Sequence, residues 1–159
     1  MDLAKIEKPT ARSGWISRIL GMVEEMLTPT EERIEPMPPP PDIQPAQMDS
    51  KVQLEGDGFG KLLGRVYEVR FKTSMTPEQL IGLVKQNMAA LGPEEIANFE
   101  KSKGVTWKLS MGDEFDITLL GPWNGQVRVI EVAEDGFSFV TLMGHPEAGR
   151  IRFSASYES

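Results

Sequence analysis

The sequence predicts an α+β protein. A curved antiparallel sheet carries two short helices after its first strand, and an amphipathic helix precedes it on a proline-rich tether. Three observations predict this. Apolar and polar residues alternate with period two in Arg65–Thr73 and in several runs between Thr106 and Tyr157, as in a sheet with one wet face. Short Gly-, Asp- and Pro-containing stretches separate those runs. A helix-start signal, Thr76-Pro-Glu-Gln79, interrupts the strand pattern after its first member. Strands in sequence order with helices set apart from them describe the α+β class.

The N-terminal segment, residues 1–27, contains the plainest helical pattern. In Ser13–Leu27 the side chains of Trp15, Ile16, Ile19, Leu20, Met22, Val23, Met26 and Leu27 fall on one arc of roughly 160°. Ser13 suits the N-cap, and Pro29 discourages continuation beyond Thr28. A helix of ~15 residues is marginal alone in water, so its apolar face requires a surface. Three surfaces are open to it: the protein's own sheet, a groove on a partner protein, and a membrane. Arg18 is outnumbered by Glu24 and Glu25 on the polar face, which opposes an anionic bilayer. Trp15, Ile16, Ile19, Met22, Val23 and Met26 are therefore the candidate partner-binding residues.

Residues 28–50 read as an acidic linker. Pro36, Pro38, Pro39, Pro40, Pro41 and Pro45 preclude a regular helix and favour extended polyproline conformation. Residues 51–159 are the expected domain. Glu55-Gly-Asp-Gly-Phe-Gly-Lys61 is glycine-rich, but no Ser or Thr follows the lysine at phosphate-loop spacing, so a turn is expected. In Arg65–Thr73, Tyr67, Val69 and Phe71 face one way. The helix from Thr76 carries an apolar stripe of Leu80, Leu83, Val84, Met88 and Leu91. Gly92-Pro93 ends it, and a second helix is expected over Glu94–Lys103, anchored by Ile96 and Phe99 and stopped by Gly104. Thr106–Met111 is a possible short strand. Phe115, Ile117 and Leu119 form the inward set of the next strand, and a turn is expected at Gly121–Gly125. Gln126–Val132 is apolar on both faces, and Glu134-Asp-Gly136 is a hairpin turn. In the last hairpin Phe137, Phe139, Thr141 and Met143 share a face, and Ile151, Phe153, Ala155 and Tyr157 share the facing one.

Composition narrows the function. A net charge of −7 leaves no basic footprint for nucleic acid. There is no cysteine and a single histidine, so neither thiolate chemistry nor a conventional zinc site is expected. No apolar run approaches the ~18 residues of a membrane span, and the N-terminus lacks the order of a secretory signal. A cytoplasmic protein without a cofactor or metal is expected. His145 and Glu147 are the one pair suited to acid–base work. The competing reading is a structural loop in which Pro146 fixes the turn and His145 caps a strand end. Asp113, Glu114 and Asp116 read as a solvated strand end rather than a metal site. Trp107 and Trp123 suit core packing or a cavity mouth.

Strand, two short helices and an antiparallel meander resemble the helix-grip fold of the START, polyketide-cyclase and Bet v 1-like (SRPBCC) superfamily. More narrowly, Gly112-Asp113, Arg128-Val129-Ile130, Gly136-Phe137-Ser138-Phe139 and Thr141-Leu142-Met143-Gly144-His145-Pro146-Glu147-Ala148-Gly149 are similar to an uncharacterised bacterial and plant family. Its members carry a Gly-Thr-Leu-Pro-Gly-His-Pro-Glu-Ser-Gly-like hairpin. Here Met143 replaces the motif's usual Pro, and Arg150 a usual Glu. Helix-grip domains continue into a long C-terminal helix that packs across the sheet. This sequence ends at Ser159, so either it is a piece of a longer chain or that helix's place falls to Ser13–Leu27. The resemblance implies a fold and a ligand cavity, and no reaction.

The expected function is non-enzymatic binding of an apolar small molecule or lipid between sheet and helices. Tyr67, Phe71, Phe115, Ile117, Val129, Phe137, Phe139, Phe153 and Tyr157 are its candidate lining. The alternative is an adaptor whose tethered helix docks on a partner. A hydrolase- or isomerase-like enzyme using His145 and Glu147 is third. Membrane association is not expected.

Overall fold

The computed structural model describes residues 40–60, 64, 72–88, 97–119 and 124–158. The expected Ser13–Leu27 helix, most of the expected Arg65–Thr73 strand and the turn residues 121–123 lie outside them. Among the described residues the chain is α+β: one six-stranded antiparallel sheet, one α-helix and two 3-10 turns. The strands are β1 (Val52–Gln53), β2 (Ala97–Lys103), β3 (Glu114–Leu119), β4 (Asn124–Val132), β5 (Gly136–Leu142) and β6 (Arg150–Ser154). Their order is β1-β5-β4-β3-β2, and β6 lies beside β5 on the β1 edge. Residues 136–140 of β5 pair with β6, and residues 141–142 pair with β1. Bulges at Lys101/Lys103 and Val129/Glu131 shift the register. Such insertions bend a strand and increase its twist.

The helix α1 (Pro77–Gln86) starts where its capping box requires. Thr76 Oγ1 accepts from the Gln79 amide at 3.2 Å, and Gln79 Oε1 accepts from the Thr76 amide at 2.9 Å. Ile81 and Val84 of α1, with Met88 just beyond it, pack onto one face of the sheet. Lys85 donates from Nζ to the Ala133 carbonyl, tying the helix to the β4–β5 turn. On that face Phe115, Ile117, Val127, Val129, Phe137 and Phe139 form the main core, with Phe99, Ile151, Phe153 and Ala155 packed against it. The aromatic rings interlock. Phe137 stacks on Phe153 at 5.0 Å between centroids and meets Phe139 edge-on at 5.5 Å, and Phe115 meets Phe139 at 5.8 Å.

The second face of the sheet is also covered, and this was not expected. Ile130, Val140 and Leu142 are buried there with Val52, and Ile43 and Leu54 pack over them. The cover is the stretch from Pro41 to Asp57, whose first ten residues the sequence reading assigned to a solvated linker. Two arginines hold it. Arg128 Nη1 donates to the Gln47 carbonyl and Nη2 to Asp49 Oδ2, each at 2.8 Å, while Nε reaches Glu114 Oε2 at 3.2 Å. Arg150 forks onto both Glu55 oxygens at 2.9 and 3.0 Å and donates to the Pro41 carbonyl at 2.9 Å. These bonds satisfy guanidinium groups that the second face would otherwise bury unpaired. β5 is therefore a central strand, buried on both faces, rather than the half-buried strand its alternation predicts.

Three further expectations fail. Within the second expected helix, Glu94–Lys103, residues 97–103 form β2, which pairs with β3 in the register Phe99↔Ile117. Phe99 and Lys101 share one side of that strand, so strand pairing and burial outweigh a modest helix propensity. Thr106–Met111 forms no strand; it belongs to the loop between β2 and β3. Tyr157 lies past the end of β6 and is 71% exposed.

Truncating Phe137, which is 0% exposed, removes the ring on which two others pack. Phe137→Ala is expected to cost about 3–5 kcal/mol in chemical denaturation. Arg128→Ala leaves Glu114, only 8% exposed, without its main partner. It is expected to cost about 3–5 kcal/mol and to accelerate amide exchange in residues 47–54. A loss below about 1 kcal/mol would instead mark the pair as a surface contact.

Candidate functional site

The structure divides the nine candidate ligand-lining residues. Phe115, Ile117, Val129, Phe137 and Phe139 are buried in the core, with Phe153 packed against them. Tyr157 is exposed, and Tyr67 and Phe71 lie outside the described residues. The rings contact one another and α1, so their apolar surface is spent on the protein's own packing. Among the described residues two hollows open on the surface. One, of about 280 Å³, is lined by Asp42, Gln44, Met111, Ile130, Glu131 and Val132. The other, of about 450 Å³, includes Glu100, Asp116, Thr118, Asn124, Gln126 and Met143. Of the seven that the structure describes, Ile117 alone borders either hollow.

His145 and Glu147 meet through the backbone of Glu147. The β5–β6 loop turns on Gly144, whose φ of 94° is the left-handed conformation that glycine adopts without strain. His145 Nδ1 lies 3.0 Å from both the backbone amide and the carbonyl of Glu147. With the proton on Nε2, Nδ1 accepts from that amide; with the proton on Nδ1, it donates to that carbonyl, so either tautomer ties the ring to the Glu147 backbone. The loop is fastened by Gln53 of β1, whose Nε2 donates to the carbonyls of His145 at 3.2 Å and Glu147 at 3.3 Å. Gln53 Oε1 accepts from the Gly144 amide at 3.3 Å. The imidazole lies against Gly125 of β4, where any side chain would collide with it. Desolvation in this position lowers the imidazole pKa below its ordinary 6.5. The ring caps its own loop; the Glu147 side chain is exposed, and its charge raises the imidazole pKa against the larger effect of burial.

The acidic run before β3 is structural as well. Asp113 and Glu114 are buried, which corrects their reading as a solvated strand end. Glu114 pairs with Arg128. Asp113 accepts from Lys101 Nζ at 3.0 Å and from the Ser110 amide at 2.8 Å. The Lys101 side chain, 9% exposed, also donates to the carbonyls of Val105 at 2.6 Å and Lys108 at 2.5 Å. Its three donors are thus matched by three acceptors, and its ammonium lies 5.4 Å from the centre of the Phe115 ring. The β2–β3 loop is wound around this lysine. Trp107, expected in the core or at a cavity mouth, is 73% exposed near the loop's tip. Among the described residues no group of three or more His, Cys, Asp or Glu side chains is arranged to hold a metal ion, and no helix is long and apolar enough to cross a membrane.

Sequence reasoning missed Gln53, Lys101, Arg128 and Arg150 as organising residues. The signal available was weak: a lysine or arginine alternating with apolar neighbours reads as the wet face of a strand. Comparison with protein-family models, with curated proteins and with solved structures finds no match to this chain.

The His145 environment fixes a pH dependence. Its folded-state pKa lies below the unfolded value, so the unfolded chain binds more protons between the two. The stabilisation is full above about pH 6.5 and declines as pH falls from there to the lowered value. Denaturation midpoints measured across this range are expected to fall with acid for the natural protein, and to fall less steeply for His145→Asn.

Proposed function

We propose that the protein is a non-enzymatic adaptor. Its β-rich domain is a packed scaffold, and the Ser13–Leu27 amphipathic helix, carried on the proline-rich segment, docks in a groove on a partner protein in the cytoplasm. Trp15, Ile16, Ile19, Met22, Val23 and Met26 are its contact residues. The observation that carries this reading is the interlocked set Phe115, Phe137, Phe139 and Phe153. Side chains that a cavity would present to a ligand here contact one another. The Arg150 bond to the Pro41 carbonyl supports the same reading. It gives the proline-rich segment a fixed point of departure from the domain.

The rival reading is a helix-grip protein that holds an apolar small molecule or lipid above the sheet. The resemblance of the Thr141–Gly149 hairpin to the helix-grip families supports it, with the Ser13–Leu27 helix as the lid. Native mass spectrometry of the 159-residue chain, purified without detergent, separates the two. The adaptor predicts the bare chain mass and fast amide exchange in residues 13–27. A co-purified lipid mass, with slow exchange in that helix, would establish the cavity instead.

A further inference from the structure

We infer that the β2–β3 loop is a contact site for an anionic phospholipid surface. Four observations combine. First, residues 102–108 are exposed without interruption between the half-buried Lys101 and the buried Leu109. The loop is a protrusion, and a protrusion suits a deformable surface better than a preformed protein groove. Second, it carries apolar side chains into water: Trp107 is 73% exposed and Val105 48%. Tryptophan is favoured at the membrane interface, where its ring sits at headgroup level.

Third, the local charge is opposite to that of the whole. The chain has 24 acidic residues and a net charge of −7, yet residues 101–112 contain three lysines and no Asp or Glu. Lys101 is consumed inside the loop, which leaves Lys103 and Lys108 on either side of Trp107. Lys108 is exposed. Lys103 is 69% exposed and only loosely paired, 3.9 Å from Glu114. Lysines near an anionic leaflet are attracted to it. Fourth, the loop is held in advance. The Lys101 ammonium fixes the carbonyls of Val105 and Lys108. Gly104, at φ 109°, packs against the Asp113 carboxylate, where a side chain would collide. A fixed loop loses little freedom on contact.

This contact is independent of the Ser13–Leu27 helix, whose Glu24 and Glu25 disfavour such a surface. It makes the adaptor a peripheral protein that bridges a membrane and a partner. Two lysines and one indole give weak, salt-sensitive attachment.

The test is co-sedimentation of the full chain with vesicles of phosphatidylcholine alone and of phosphatidylcholine with phosphatidylserine, at low and high salt. Binding is expected only to the phosphatidylserine vesicles and only at low salt. Trp107→Ala is expected to weaken it by about tenfold, and Lys103→Glu with Lys108→Glu by about tenfold or more. All three residues are exposed, so unchanged melting curves verify the fold of these variants. Ile19→Glu with Val23→Glu, on the helix, is expected to leave binding intact. In a Trp15→Phe, Trp123→Phe variant the remaining Trp107 emission is expected to shift blue with phosphatidylserine vesicles. No vesicle binding by the natural protein overturns the inference, as does binding lost through the helix substitutions and kept in the loop variants.

Discussion

The structure depends on how Arg128 is satisfied. This guanidinium sits on the second face of the sheet with its side chain 6% exposed. There an unpaired cation would be far more costly than any single apolar contact is favourable. Its partners come from two places. Glu114 lies on the neighbouring strand β3, paired with Arg128 in register, while the Gln47 carbonyl and Asp49 come from the Pro41–Asp57 strap. The charge therefore obliges the strap to lie across β4. Once it does, Ile43 and Leu54 fall over Ile130, Val140 and Leu142. Arg150 repeats the arrangement beside β1. The carboxyl of Asp49, hydrogen-bonded by Arg128, and that of Glu55, hydrogen-bonded by Arg150, are both held below their ordinary values. The same groups that anchor the strap are thus ionised throughout the neutral range.

Lysine 101 plays the corresponding part at the other end of the sheet. It converts a loop with no strand pairing of its own into a defined shape by collecting two carbonyls and a carboxylate. In both places a buried cation organises backbone that apolar packing alone would leave unspecified. Main-chain carbonyls removed from water need donors, and a long cationic side chain supplies several from one position.

What the sequence disclosed follows from this division. The meander β3 to β6 was legible because hydrophobic periodicity records burial: Phe115, Ile117, Phe137 and Phe139 are buried, and Phe153 partly buried, at the expected spacing. The start of α1 was legible because Thr76, Pro77 and Gln79 act within one turn. The strap was not. Proline content and acidity there describe a solvated spacer, and nothing local reveals that Asp49 and Glu55 have arginine partners more than seventy residues away. β2 was misread because Ala97–Lys103 takes its conformation from its pairing with β3, which nothing within those seven residues records. The candidate acid–base pair was legible as a loop. Its role as a cap depended on Gly125 and Gln53, which belong to other strands.

The strap has a consequence for the order in which the chain assembles. The β4–β5 and β5–β6 pairs join neighbouring stretches of sequence and close short loops. The Arg128–Asp49 and Arg150–Pro41 bonds join residues 79 and 109 positions apart. Closing such long loops carries an entropic cost before any contact compensates for it. Loop closure therefore favours assembly of the meander before the strap seats. Whenever the strap lifts, Ile130, Val140 and Leu142 lose the cover of Ile43 and Leu54, so the apolar surface this fold can show to other chains lies beneath its strap.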